Sequence, residues 1–194
     1  TTAETVIIGN GSEDLIGAIF RAVLRPGDRV VTLCPSFGLH EFGALACGAM
    51  VEKVPFRVDW SFPLDELKNA LSVPARLLIF SSPSNPAGPA VSEVEFRALL
   101  SATPAETLVV FDEAYLEYVE DAARFDALRV LADAAQPWIV LRTFSKAYGL
   151  AGVMRFAFNR DTLLEKFAKS QNAQTAATSL DNNLDIAPEN AIHL

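Results

Sequence analysis

The sequence predicts an α/β fold of three layers, with helices on both faces of a mostly parallel sheet. Three observations lead there. Short apolar runs alternate with helix-period segments along most of the chain. The runs RLLIF (Arg76 to Phe80), TLVVF (Thr107 to Phe111) and WIVLR (Trp138 to Arg142) are continuously apolar, the pattern of strands covered on both faces. The stretches between these runs are each long enough for a loop, a crossover helix and a return strand.

The elements follow in order. Glu4 to Ile8 reads as a short strand, and Gly9-Asn10-Gly11 as a turn. Ser12 is expected to cap a helix whose Leu15, Ile16, Ile19, Ala22 and Val23 share one face, closed by Pro26-Gly27. Arg29 to Cys34 (RVVTLC) is a β-branched strand. Phe37 to Cys47 is a helix ended by Gly48, Met50 to Phe56 a strand, and Leu64 to Leu71 a short helix. After RLLIF comes SSPSNPAGP, whose three prolines and a glycine exclude regular structure. Val91 to Leu100 is helical, TLVVF is ended by Asp112-Glu113, and Phe125 to Ala135 is helical. Beyond WIVLR, Arg155 to Phe158 reads as a last strand and Thr162 to Lys169 as a helix. A large domain is expected over residues 1–171. The polar, weakly periodic residues 172–194 form a tail with no assigned structure.

Composition narrows the function. With 194 residues, 51% hydrophobic and 21% charged, the chain can bury a core, and global disorder is excluded. A net charge of −8 and a pI near 4.8 argue against general binding of phosphate backbones, so no nucleic-acid partner is expected. No apolar run approaches the roughly eighteen residues of a membrane span. Thr1 to Asn10 carry Glu4 and no Lys or Arg, so no leader is expected. Two cysteines, Cys34 and Cys47, suit a reducing compartment and are expected to be core thiols, which together place the chain in the cytoplasm.

In an open parallel sheet, ligands bind outside the carboxyl ends of the strands. Three successive apolar runs end there in distinct chemistry: Asn85 after RLLIF, Asp112 after TLVVF, and Ser145-Lys146 after WIVLR. An amide, a carboxylate and an ammonium are therefore expected on one edge. Gly9-Asn10-Gly11-Ser12 adds helix N-terminal N–H groups suited to a phosphate, and Phe37 a flat apolar face. Pyridoxal 5′-phosphate uses all of these. Its aldehyde needs a Lys amine, its ring nitrogen a buried carboxylate, its phenolic oxygen an amide and a hydroxyl, and its phosphate hydroxyls, N–H groups and an Arg.

Competing readings lack parts. The run-plus-Asp-Glu pattern of TLVVFDEA also fits a nucleotide hydrolase, but no Gly-Lys pair exists in the chain for a phosphate loop. Asp14 stands where a dinucleotide fingerprint needs its third glycine. Ser36 is not in a nucleophile elbow, because Cys34 fills the first glycine position. His40 and His193, the sole histidines, leave little for a Ser–His or metal mechanism, and no metal is expected. Tyr118 and Tyr148 read as packing residues.

The stretches GNGSEDLI, CPSFGLH, SSPSNPAG, VVFDEAYLEY and LRTFSKAYGLAG, in this order, resemble the large domain of fold-type I, class I/II, pyridoxal-phosphate-dependent aminotransferases, most nearly the histidinol-phosphate aminotransferases. The resemblance covers roughly Val6 to Gly152. It implies that Lys146 is the Schiff-base lysine and the proton-transferring base, and that Asp112 pairs with the ring nitrogen. It further implies that Asn85 and Tyr115 bond the phenolic oxygen, and that Phe37 stacks on the ring. Gly11, Ser12 and Glu13 at the helix start, with Thr143 and Ser145, are implied to hold the phosphate. So are amino transfer between histidinol phosphate and 2-oxoglutarate in histidine biosynthesis, and a homodimer. The family places an arginine eight residues after the lysine. Here that position is Met154, and Arg155 follows, so either a local bulge brings Arg155 to the phosphate as its arginine or phosphate binding is weakened. The family's amino-terminal arm and carboxylate-binding small domain have no counterpart in these 194 residues, so a fragment or a shortened relative is expected. The alternatives are an aminotransferase or decarboxylase acting on another amino acid, such as an aromatic one, or a catalytically silent relative.

Overall fold

The computed structural model describes residues 5–120 and 124–150, and the backbone alone of Met154–Phe158. The expected helix at 162–169, the domain limit at 171 and the tail at 172–194 lie outside the described residues.

Seven strands form one sheet: β1 (Val6–Gly9), β2 (Arg29–Cys34), β3 (Met50–Pro55), β4 (Leu77–Ser81), β5 (Leu108–Asp112), β6 (Trp138–Thr143) and β7 (Met154–Phe158). Their order is β1-β7-β6-β5-β4-β2-β3. The run from β3 through β6 is parallel. β7 is antiparallel to both of its neighbours, β6 and β1.

The helices are α1 (Gly11–Val23), α2 (Gly38–Ala46), α3 (Leu64–Leu71), α4 (Glu93–Ala102) and α5 (Ala127–Ala132). Every residue of β4 and β5 is buried, as their uninterrupted apolar sequences require. Successive side chains go to opposite faces. Leu77, Ile79, Leu108, Val110, Ile139 and Leu141 meet α1 and α2 on one face. Leu78, Phe80, Val109, Phe111 and Val140 meet α3, α4 and α5 on the other. That second face is aromatic at its centre: Phe96 stacks on Phe111 with centroids 4.5 Å apart, and Phe80 meets Phe111 edge-on at 5.2 Å.

Local chemistry sets the ends of the elements. Ser92 and Glu95 form a reciprocal capping box, so α4 starts two residues later than the sequence pattern suggests. The Asp126 side chain accepts from the N–H groups of Leu128 and Arg129 and starts α5. At the head of α1 the cap position belongs to Asn10, not Ser12, which lies inside the first turn. Two glycines make this entry possible. Gly11 has φ +85°, and a Cβ on Gly9 would come within 2.4 Å of Leu15.

β3 is an edge strand whose side chains are mostly exposed, with Val54 buried. Two expectations are corrected. Cys34 and Cys47 are partly exposed, because both stand at element ends rather than in the core. Tyr118 and Tyr148 are more than half exposed. Each touches one ring, Tyr115 and Phe144 respectively, instead of packing inside.

Candidate active site

From β2 the chain moves outward to β3, then returns to lay β4 on the other side of β2. Such a reversal opens a crevice at the carboxyl ends of the two strands. Phe37 follows β2 there, and Asn85 follows β4. Asp112 ends β5 in register with Ser81 of β4. Thr143 ends β6 in register with Met154, which also pairs with Gly9 at the end of β1. The start of α1, the Asn85 loop, Asp112 and the turn carrying Lys146 thus share one edge of the sheet.

Asp112 has the periodicity of Val110 and faces α1 and α2. Its side chain is almost fully buried. Oδ1 accepts a hydrogen bond from the Ala114 N–H at 3.0 Å, and the main-chain oxygen accepts from the Ser82 N–H at 2.9 Å. Oδ2 lies 3.5 Å from Nε2 of His40. His40 comes from α2, is completely buried, and meets Phe37 edge-on at 5.8 Å. Among the described residues neither of its ring nitrogens has a hydrogen-bond partner. In the sequence, His40 stands three residues after Phe37, which puts both at one end of α2, but nothing there pairs that end with Asp112.

Asn85 is partly buried in a loop that folds back on itself. The Gly88 N–H donates to the Ser84 oxygen, the Ser84 N–H to the Pro89 oxygen, both at 2.8 Å, and the Asn85 N–H to Ser81 Oγ at 3.4 Å. Nearby Ser84 Oγ is buried and has no hydrogen-bond partner among the described residues. Tyr115 and Lys146 arrive from different strands and meet: the Lys146 ammonium lies 5.5 Å from the centroid of the Tyr115 ring. Lys146 itself is exposed. Its turn is held by the Gly149 N–H donating to the Lys146 oxygen and the Leu150 N–H to the Phe144 oxygen. Thr143 and Ser145 share a hydroxyl–hydroxyl bond of 2.7 Å, and the Ser145 N–H donates to Thr143 Oγ1.

Gly11, Ser12 and Glu13 make the first turn of α1, and Asn10 gives it no side-chain cap, so its leading N–H groups are not taken up by a cap. Arg155 is opposite Arg142 and Ile8 in the β7 register, while Met154 holds the position opposite Thr143 and Gly9. On the other face of the same edge, Glu113 is buried and its Oε2 accepts from Arg142 Nε at 2.7 Å. Burial pushes the Glu113 carboxyl above the ordinary glutamate value, and the Arg142 charge pulls it partly back.

The mostly parallel sheet matches the fold of pyridoxal-phosphate-dependent transferases, and residues 1–180 match the family model of class I and II aminotransferases. The chain belongs to that family. It is 51% identical over 150 residues to histidinol-phosphate aminotransferase 1 of Mesorhizobium japonicum, an alignment covering 77% of this chain and 41% of that protein. It is 35% identical over 192 residues to the histidinol-phosphate aminotransferase of Bacillus subtilis, covering 94% of this chain and 53% of the relative. The crystal structure of histidinol-phosphate aminotransferase from Sinorhizobium meliloti in complex with pyridoxal-5′-phosphate superposes with a TM-score of 0.76 at 30% identity, over 94% of this chain and 52% of that one. The chain therefore spans about half the length, or less, of these relatives.

Proposed function

We propose that this chain carries the pyridoxal-phosphate-binding part of an aminotransferase that moves an amino group between histidinol phosphate and 2-oxoglutarate in histidine biosynthesis. The observation that carries the reading is the meeting of Lys146 with Tyr115 on the edge that buries Asp112. The donor set fits the cofactor. Asp112 is a buried carboxylate with one hydrogen bond among the described residues, and it favours a protonated ring nitrogen beside it. The partnerless nitrogens of His40 and hydroxyl of Ser84 leave polar capacity near that edge.

When bound, pyridoxal phosphate supplies an electron sink for chemistry at an amino acid's α-carbon. Asp112 would hold the proton on the ring nitrogen, with His40 behind the carboxylate. Asn85 and Tyr115 would donate to the phenolic oxygen, and Phe37 would cover one ring face. The N–H groups of Gly11, Ser12 and Glu13, with Thr143 and Ser145, would hold the phosphate, while the β7 register sets Arg155 opposite Arg142 rather than opposite Thr143. Lys146 Nζ would be the amine that holds the cofactor's aldehyde group and the base that takes the α-proton of the amino donor.

Borohydride reduction of the chain mixed with cofactor tests this. A stable adduct located at Lys146 by mass spectrometry, and absent from Lys146→Ala, is expected. Failure of the unmodified chain to retain any adduct overturns the reading. A preference for histidinol phosphate over phenylalanine as amino donor checks the substrate.

One observation favours a second reading, a chain that keeps cofactor affinity and transfers nothing: Met154 holds the register position opposite Thr143, and the arginine comes one residue later. Mixing the loaded chain with histidinol phosphate separates the two, since only an active chain converts its cofactor to the amine form. The reading extends to a homodimer in the cytoplasm, supported by the family resemblance and the two free cysteines.

A further inference from the structure

We propose that Glu113 and Arg142 are positioning residues. From the far face of the sheet their ion pair holds the last rung between β5 and β6, and so sets the distance from Asp112 to the turn that carries Lys146. This rests on the cofactor reading of the edge given above.

Strand periodicity places the pair. Glu113 directly follows Asp112 and Arg142 directly precedes Thr143, so each residue of the reaction edge has its chain neighbour on the opposite face. The β5–β6 ladder ends with Asp112 opposite Leu141. One further backbone bond, from the Glu113 N–H to the Leu141 oxygen at 2.8 Å, crosses the seam. Past it, β6 runs on to Thr143 beside β7 alone. The 2.7 Å bond from Arg142 Nε to Glu113 Oε2 crosses the same seam where the ladder stops. Immediately afterwards the two strands release the turns in which Tyr115 and Lys146 meet, so a shift at the seam passes straight into that contact.

Stability alone does not account for the pair. Glu113 is buried, and the attraction of Arg142 does not offset the cost of its desolvation. Asp126 and Glu117 add repulsion. A buried ion pair of this kind contributes little net stability compared with an apolar pair of the same volume, whereas it fixes a direction and a length that apolar contact does not.

The test compares the unmodified chain with Glu113→Leu/Arg142→Met, which fills the same space without the directional bond, and with Arg142→Gln, at a partly exposed position, should the double variant not fold. Three quantities are read: thermal unfolding, hydrogen exchange at the Ser145, Gly149 and Leu150 amides without cofactor, and pyridoxal-phosphate affinity by equilibrium dialysis. Positioning predicts that the double variant melts near the unmodified chain, exchanges several-fold faster at those amides, and binds cofactor about tenfold more weakly. Unchanged exchange at the three amides overturns it. Should the unmodified chain bind no cofactor, the reading of the edge fails separately, and the exchange comparison still decides the positioning role.

Discussion

The two faces of the sheet are built to different rules. Under α3, α4 and α5 the core is aromatic: Phe80, Phe96 and Phe111 are essentially inaccessible and touch one another as rings, and among the described residues its one partnerless buried side-chain atom is Trp138 Nε1. Under α1 and α2 the core is mainly aliphatic in the middle and turns polar at the carboxyl edge, where Asp112 and His40 are buried. On this side Thr32 Oγ1 and both His40 nitrogens are buried without partners among the described residues. Partnerless buried polar atoms cost stability. The contrast teaches that one face is packed mainly by rings, while the other carries buried polar groups toward the carboxyl edge.

Breaking the aromatic face should produce the largest effect. Phe96→Ala removes a ring from a site with no room to collapse, and is expected to lower unfolding free energy in urea by about 3–5 kcal/mol. A loss under about 1 kcal/mol would show that this face is not the dominant core. His40→Leu sharpens the contrast from the other side. It deletes partnerless polar atoms, so stability should stay within about 1 kcal/mol, while cofactor affinity falls roughly tenfold or more as Asp112 loses its neighbour. Equal stability together with equal affinity would remove His40 from the site.

At the head of α4, Ser92→Ala deletes half of a capping box on the structural face. It should cost about 1 kcal/mol in the same urea titration and leave cofactor affinity unchanged. The smallest effect is a pH trend. The folded-state value of Glu113 lies above its unfolded value, so its contribution is fully present below the ordinary glutamate pKa of 4.5 and is lost as pH rises through the raised folded value. The melting temperature of the unmodified chain minus that of Glu113→Gln should therefore be larger near pH 4 than at pH 7. The opposite slope would mean that Arg142 more than offsets the burial.

The sequence by itself determined the elements and the edge of the sheet to which Asn85, Asp112 and Lys146 are delivered. Continuous apolar runs such as TLVVF cannot be stable except as covered strands, and a parallel sheet delivers every strand end to the same side. Asn85, Asp112 and Lys146 were legible for that reason, and element limits erred by a residue or two where caps such as Ser92 and Asp126 decide them. Tertiary structure alone decided what lies across from what. The burial of His40 against Asp112 joins α2 to β5, and the Glu113–Arg142 bond joins β5 to β6 on the far face. The register that sets Met154 rather than Arg155 opposite Thr143 joins β6 to β7. Each is a relation between segments distant in the chain. Local pattern records which way a residue's own element faces, and carries no information about the residue that another element brings to meet it.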